Sequence, residues 1–327
     1  MFDHSCARRK WLLAIAAGAL ATFTAAPSGY AQGTWTTLSP VPSPTEGMTV
    51  GGVGQVIIAA YGASSGADTN ATRLYNINTD SWSLGLSGPV PARSEAAYGD
   101  TTHAGFLYVI GGGSSEGGVF SDVNRYDPVM DAWTALPPML TARAGAVAAA
   151  VDNNIYVIGG RRTAAGPCNA GPYLATVEKY DVDANTWSTV KPLPSPRADL
   201  AAVAHGGKIY VFGGCTAPGS VTNEVDMYDP ETDTWTTGLA PMPTARASLA
   251  AGHSGQRVYA VGGWDGAFAS NVNEVYNIAS DSWSSNAPMQ TARLKAGTHS
   301  HGGRVYVVGG ASPGSGFSTD LNETFKP

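Results

Sequence analysis

Chemistry in this chain would have to come from side chains that recur at fixed places. Arg93, Arg143, Arg197, Arg246 and Arg293 each precede a run of small residues. Two positions after them stand Glu95, Gly145, Asp199, Ser248 and Lys295, with Met48 at the matching place of a degenerate first copy. Glu95 or Asp199 beside an arginine would supply the acid–base pair that sugar ring-opening needs, and the same six residues also read as solvated filler. His103, His205, His253, His299 and His301 each fall near a recurring turn. Imidazole is the commonest metal ligand. One histidine per repeat does not converge to the ~2.0 Å distances zinc needs, so no metal site is expected. Cys168 and Cys215 lie in corresponding loops of neighbouring repeats. In an oxidising compartment a bridge between them is open, as are two free thiols or a crosslink to an aromatic ring.

Stronger signatures of catalysis are missing. The sequence has no GxSxG elbow and no HExxH pair. Asp181-Val182-Asp183-Ala184-Asn185 mimics the start of a calcium loop, but Thr186 and Pro192 replace the glycine and the glutamate that such a loop requires. No cofactor is expected. The net charge is −6, and no basic run occurs beyond the N-terminus, which argues against a nucleic-acid partner. Forty-one glycines and 21 prolines among 327 residues exclude a helical bundle, since each is costly inside a helix.

Residues 1–31 read as a cleaved signal peptide. Arg8, Arg9 and Lys10 are followed by an apolar stretch from Trp11 to Phe23, too short to span a membrane. Gly29 and Ala31 place the cut before Gln32. The paired arginines leave both the general and the twin-arginine export routes open. The mature chain, 32–327, is thus expected to be periplasmic or secreted, a single domain and a monomer.

The elements that must position these residues come from a repeat of about fifty residues. Trp35, Trp82, Trp133, Trp187, Trp235 and Trp283 mark it. Between them recur an apolar run closing on a glycine pair (FLYVIGG, NIYVIGG, KIYVFGG, RVYAVGG, RVYVVGG) and a Tyr followed by Asp or Asn. Each unit reads as four short strands separated by turn residues; in the third these fall at about 143–151, 154–158, 174–181 and 185–190. In the first unit VIIAAYG replaces the glycine pair, and Thr45 or Glu46 stands in place of the arginine.

In this order the motifs resemble the kelch repeat, which implies an all-β, six-bladed kelch-type β-propeller with one blade per repeat. The chain starts with an outer strand around Trp35 and ends on a third strand near 318–325, so the N-terminal strand should close the last blade. The tryptophans are expected to be buried between blades and the arginines to bridge blades through their forked donors.

By analogy with such propellers, the loops after each glycine pair gather on one face. There lie Arg161, Arg162, Cys168 and Tyr173 in the third unit, Trp264, Asp265 and Phe268 in the fifth, Glu116 and Phe120 in the second, and Phe317 in the sixth. Together with Glu95, Asp199 and Lys295 at the channel mouth they form the expected binding face, and the histidines fall on the opposite face. A non-catalytic scaffold for a glycan or protein fits these features best. The alternative is a mutarotase resembling the kelch-type sialic-acid epimerases, with Glu95 and Asp199 as its catalytic groups. Galactose oxidase shares the repeat, but its copper site needs histidines on the binding face.

Overall fold

The structure is a computed structural model that describes residues 33–164, 166–312 and 317–327, without the side chains of Gly166, Pro167 and Phe317. Residues 1–31, read above as a signal peptide, and the Phe317 ring lie outside the described residues. Six four-stranded antiparallel sheets form a closed β-propeller, here blades I to VI in chain order. Blade III is typical, with strands Val147–Val151, Asn154–Ile158, Val177–Asp181 and Thr186–Val190 running from the inside outward. The inner strand of blade II is cut to Thr102–His103. In blade VI the outer strand is Thr34–Thr37, which pairs with Asn322–Lys326 and sets Trp35 opposite Phe325. The N-terminal strand therefore closes the ring. Among the described residues one four-residue helix, Gly166–Asn169, sits in the loop of blade III.

Each recurring residue has a definite mechanical role. The Trp indole N–H crosses to the preceding blade and donates to a backbone carbonyl at 2.7–3.0 Å, as from Trp133 to Leu86 or Trp187 to Pro137. The rings are half-buried rather than buried, because each leans on the aromatic residue of its own third strand at 5.0–5.1 Å and leaves its outer face to solvent. Replacing Trp133 by Phe should keep the packing and remove the hydrogen bond. The expected loss is about 1 kcal/mol, seen as a lower urea midpoint at constant slope; an unchanged midpoint would show that water takes over at the Leu86 carbonyl.

The arginines act differently from expectation. Among the described residues their guanidinium groups donate hydrogen bonds within their own blade, although that of Arg93 also lies over the Tyr61 ring of blade I, 5.5 Å from its centre. Arg143 donates to the Gly159 and Thr176 carbonyls and to Glu178, all in blade III, and Arg197, Arg246 and Arg293 reach Asp226, Glu274 and Glu323 in the same way. Arg93 has no acid at that place and takes the Gly111 carbonyl at 3.2 Å, with Asp122 further off at 3.6 Å. What crosses between blades is the arginine's main-chain carbonyl, which accepts from the second glycine of the preceding pair, as Arg143 does from Gly112 and Arg197 from Gly160. The first glycine must lack a Cβ for the same reason. At Gly111 an added Cβ would lie 2.7 Å from the Arg143 carbonyl oxygen, and φ is +63°. In blade I the cation has moved to the third strand: Arg73 is buried and donates to Ser43, while Thr45 takes the place of the loop arginine and accepts from Gly310.

Candidate functional site

The six residues at the loop end of the axis turn out to be a plug. Gly47, Glu95, Gly145, Asp199, Ser248 and Lys295 all have left-handed φ, between 49° and 63°. That conformation turns each N–H toward the carbonyl of the preceding member, and six hydrogen bonds of 2.7–3.0 Å close a circle through all six blades. The blade I member is Gly47, not Met48, because Thr45 holds the arginine position and the ring lies two residues on. Met48 is instead buried against Val50, Ile57 and Tyr306.

Inside this circle the charges are mutually satisfied. The Arg161 guanidinium donates to both Asp199 oxygens at 2.6 and 2.7 Å and to Glu95. Lys295 completes the set, 2.7 Å from Glu95 and 3.8 Å from Glu46. Burial pushes the Asp199 carboxyl up against the pull of Arg161. Burial also works against the Glu95 charge, but Lys295 and Arg161 outweigh it and hold that carboxyl below its ordinary range. Arg161 and Asp199 are completely buried. Above them Cys168 and Cys215 form a disulfide with Cα atoms 5.4 Å apart, and the Cys168 N–H donates to Asp199. Tyr173, Val221 and Trp264 pack on that bridge, so the loops of blades III, IV and V form one mass.

The expected binding residues thus divide. Arg161, Glu95, Asp199 and most of Lys295 belong to the sealed plug. Tyr173 and Trp264 are half-buried, and Trp264 is bonded through its backbone to Ala247. Arg162, Asp265 and Phe268 are exposed, Phe268 by 71 %. The Asp265 carboxylate is engaged in its own turn, accepting from the Ala267 and Phe268 N–H groups. Phe120 covers Arg93, whose guanidinium carbon lies 4.6 Å from the ring centre.

At the opposite end the channel opens into a cavity of 160 Å³. Alanines of blades III and IV line one side, and Asp100, Thr102, His253, Thr298, His299 and Ser300 line the other. The repeat spacing sets these histidines apart along the sequence, mostly in different repeats. The structure brings them into contact: His205 and His253 rings lie 5.8 Å apart, and His299 bonds Asp100 at 2.8 Å. That bond passes the inner strand of blade I, where Gly51 and Gly52 leave room; a Cβ on Gly52 would overlap the His299 ring. Burial, and then the neighbouring His205, lowers the pKa of His253. The available signal was strand alternation. Val203 and Ala251 both face the junction of blades IV and V, so His205 and His253, each two residues further on, must do so too.

A closed ring of six blades with a hydrogen-bonded plug defines a six-bladed β-propeller. A family model described as KLHDC2/KLHL20/DRC7 Kelch-repeats domain matches residues 138–310, and the Kelch motif matches residues 97–140. The chain belongs to the kelch-repeat family. Kelch-like protein 25 of Xenopus tropicalis is 38 % identical over 132 residues, 40 % of this chain and 22 % of that protein. Kelch-like protein 23 of Homo sapiens is 28 % identical over 58 % of this chain and 31 % of its own length. Alpha-scruin of Limulus polyphemus is 35 % identical over 35 % of this chain and 12 % of its own. The matched part is therefore less than a third of each of these relatives. The solved structure of YjhT aligns with a TM-score of 0.75 and 20 % identity, covering 87 % of this chain and 95 % of that one, and shares the fold. Among the described residues no helix is long and apolar enough to cross a membrane.

Proposed function

We infer that this chain is an exported, non-catalytic scaffold that holds a protein or glycan partner on the loop face of blades III to V. One observation supports this above the enzymatic alternative. Glu95 and Asp199, the only carboxylates the repeat pattern offered for acid–base work, are bound by Arg161 and Lys295 beneath a closed backbone circle. A catalytic pair needs a reachable proton and room for substrate beside it; here both are filled by protein. The loops that stand over the plug are stiffened by the disulfide and present Arg162, Asp265 and Phe268 outward. A rigid face with an exposed aromatic ring and both charges suits recognition. The leader read at residues 1–31 and a buried disulfide both agree with export.

The test screens the purified protein on glycan and peptide arrays, and repeats any hit with Phe268→Ala and Arg162→Ala. Affinity should fall about tenfold or more, while thermal stability stays unchanged because both side chains are exposed. Faster exchange of sugar anomers by NMR, abolished by Glu95→Gln, would overturn the scaffold reading.

A further inference from the structure

We propose that the channel end opposite the loop face carries a transition-metal site in which His205 and His253 ligate one divalent ion such as Cu²⁺, Ni²⁺ or Zn²⁺.

The two histidines come from adjacent inner strands, Ala201–His205 and Ala250–Ser254, and both side chains turn into the junction between blades IV and V. Their ring centres are 5.8 Å apart at an interplanar angle of 69°. Two imidazoles on one tetrahedral ion, with metal–nitrogen bonds of ~2.0 Å, have centres ~5 Å apart. A rotation of either ring within its rotamer well covers the difference. Neither ring has a hydrogen-bond partner among the described residues, in contrast to His103 on Asn153 and His299 on Asp100. Their lone pairs are therefore uncommitted.

The surroundings favour a cation. His253 lines the cavity together with Asp100, whose carboxylate is partly exposed, and no lysine or arginine lines it. Nitrogen ligands select copper, nickel and zinc over magnesium and calcium. The donor atoms of three candidate ligands do not approach one another closely at this end; the one such trio among the described residues is Cys168, Asp199 and Cys215. Water must then fill the remaining positions, so the affinity expected is micromolar and the site is open to a small ligand from the cavity.

The experiment uses untagged protein, since a histidine tag would mask the effect. Titration with Cu²⁺ followed by electron paramagnetic resonance should show one site with two coupled nitrogens. Calorimetry with Ni²⁺ or Zn²⁺ should show one equivalent bound, weakened about tenfold or more by His205→Gln and equally by His253→Gln. The His103→Gln variant should bind as the parent does. A nitrogen pattern from a single imidazole, or unchanged affinity in His205→Gln, would overturn the proposal. The resonance measurement needs no variant, so it decides the matter even if a substitution impairs folding.

Discussion

Replacing Arg161 by methionine is expected to destabilise the protein by about 3–5 kcal/mol, the usual cost of removing one partner of a buried ion pair. Among the described residues the guanidinium is the only side-chain group that hydrogen-bonds both carboxylates, of Glu95 and of Asp199. Lys295 would remain for Glu95 alone. Asp199, completely buried, would keep only the Cys168 N–H at 3.3 Å as a donor to its carboxylate, because the Cys215 sulfur beside it is in the disulfide and has no proton to give. The pH dependence carries the sign. A carboxyl whose pKa is higher in the folded than in the unfolded chain binds more protons when folded, so it destabilises most above its folded pKa. The deficit of the variant should therefore be full at neutral pH. It should shrink as pH falls through the raised pKa of the orphaned acid, and be least below about 4. Adding Glu95→Gln and Asp199→Asn should recover part of the loss at neutral pH and remove its pH dependence. Chemical denaturation of these variants from pH 4 to pH 8 measures all of this. A loss under about 1 kcal/mol, flat with pH, would mean that water reaches the plug and that the centre is not sealed.

Arg161 also shows where sequence reading reached its limit. The repeat, the strand order, the blade count and the closing strand follow from the spacing of Trp, Arg and the glycine pair, because those residues make closely matching contacts in most of the blades. Arg161 occupies the first place after its glycine pair, where other blades carry Ala63, Gly113, Cys215, Trp264 and Ala311. A loop position that varies this much looks like a binding position. Only its location beside the axis, facing Glu95 and Asp199 from other blades, makes it a counter-ion. That relation spans 66 and 38 residues and leaves no local pattern. The blade I ring member was legible, since Gly47 matches Gly145 and left-handed backbone favours glycine. The histidine contact could be read too, once side-chain alternation is followed from one inner strand to the next. The length of the inner strand of blade II could not. Its residues turn aside at Tyr98, which pairs in parallel with Val147 of blade III and leaves only Thr102–His103 in its own sheet.

Deleting residues 33–38 should have the largest effect of any change considered, because it opens the ring. Thr34–Thr37 supplies four register pairs to Asn322–Lys326. Trp35 stacks on Phe325 at 5.0 Å and donates to Ala287 of blade V at 2.8 Å. The Gly33 N–H adds a bond to Asn286 and the Leu38 N–H one to Asn322. Without the segment, Phe325, now completely buried, loses its outer cover, and a full strand edge faces solvent. Trp35→Ala alone should cost about 3 kcal/mol, the low end for a large aromatic, since its ring is only half-buried. The deletion removes the ladder as well and should go beyond that, with a lower melting temperature, concentration-dependent light scattering and fast hydrogen exchange at residues 322–326. A synthetic peptide spanning residues 33–38, added in excess, should slow that exchange again, because the vacated edge accepts a strand of matching register. Should the shortened chain melt as the parent does, with residues 322–326 still protected, the sixth blade would be stable on three strands. The ring would then be held by the Gly47–Lys295 circle rather than by its N-terminal clasp.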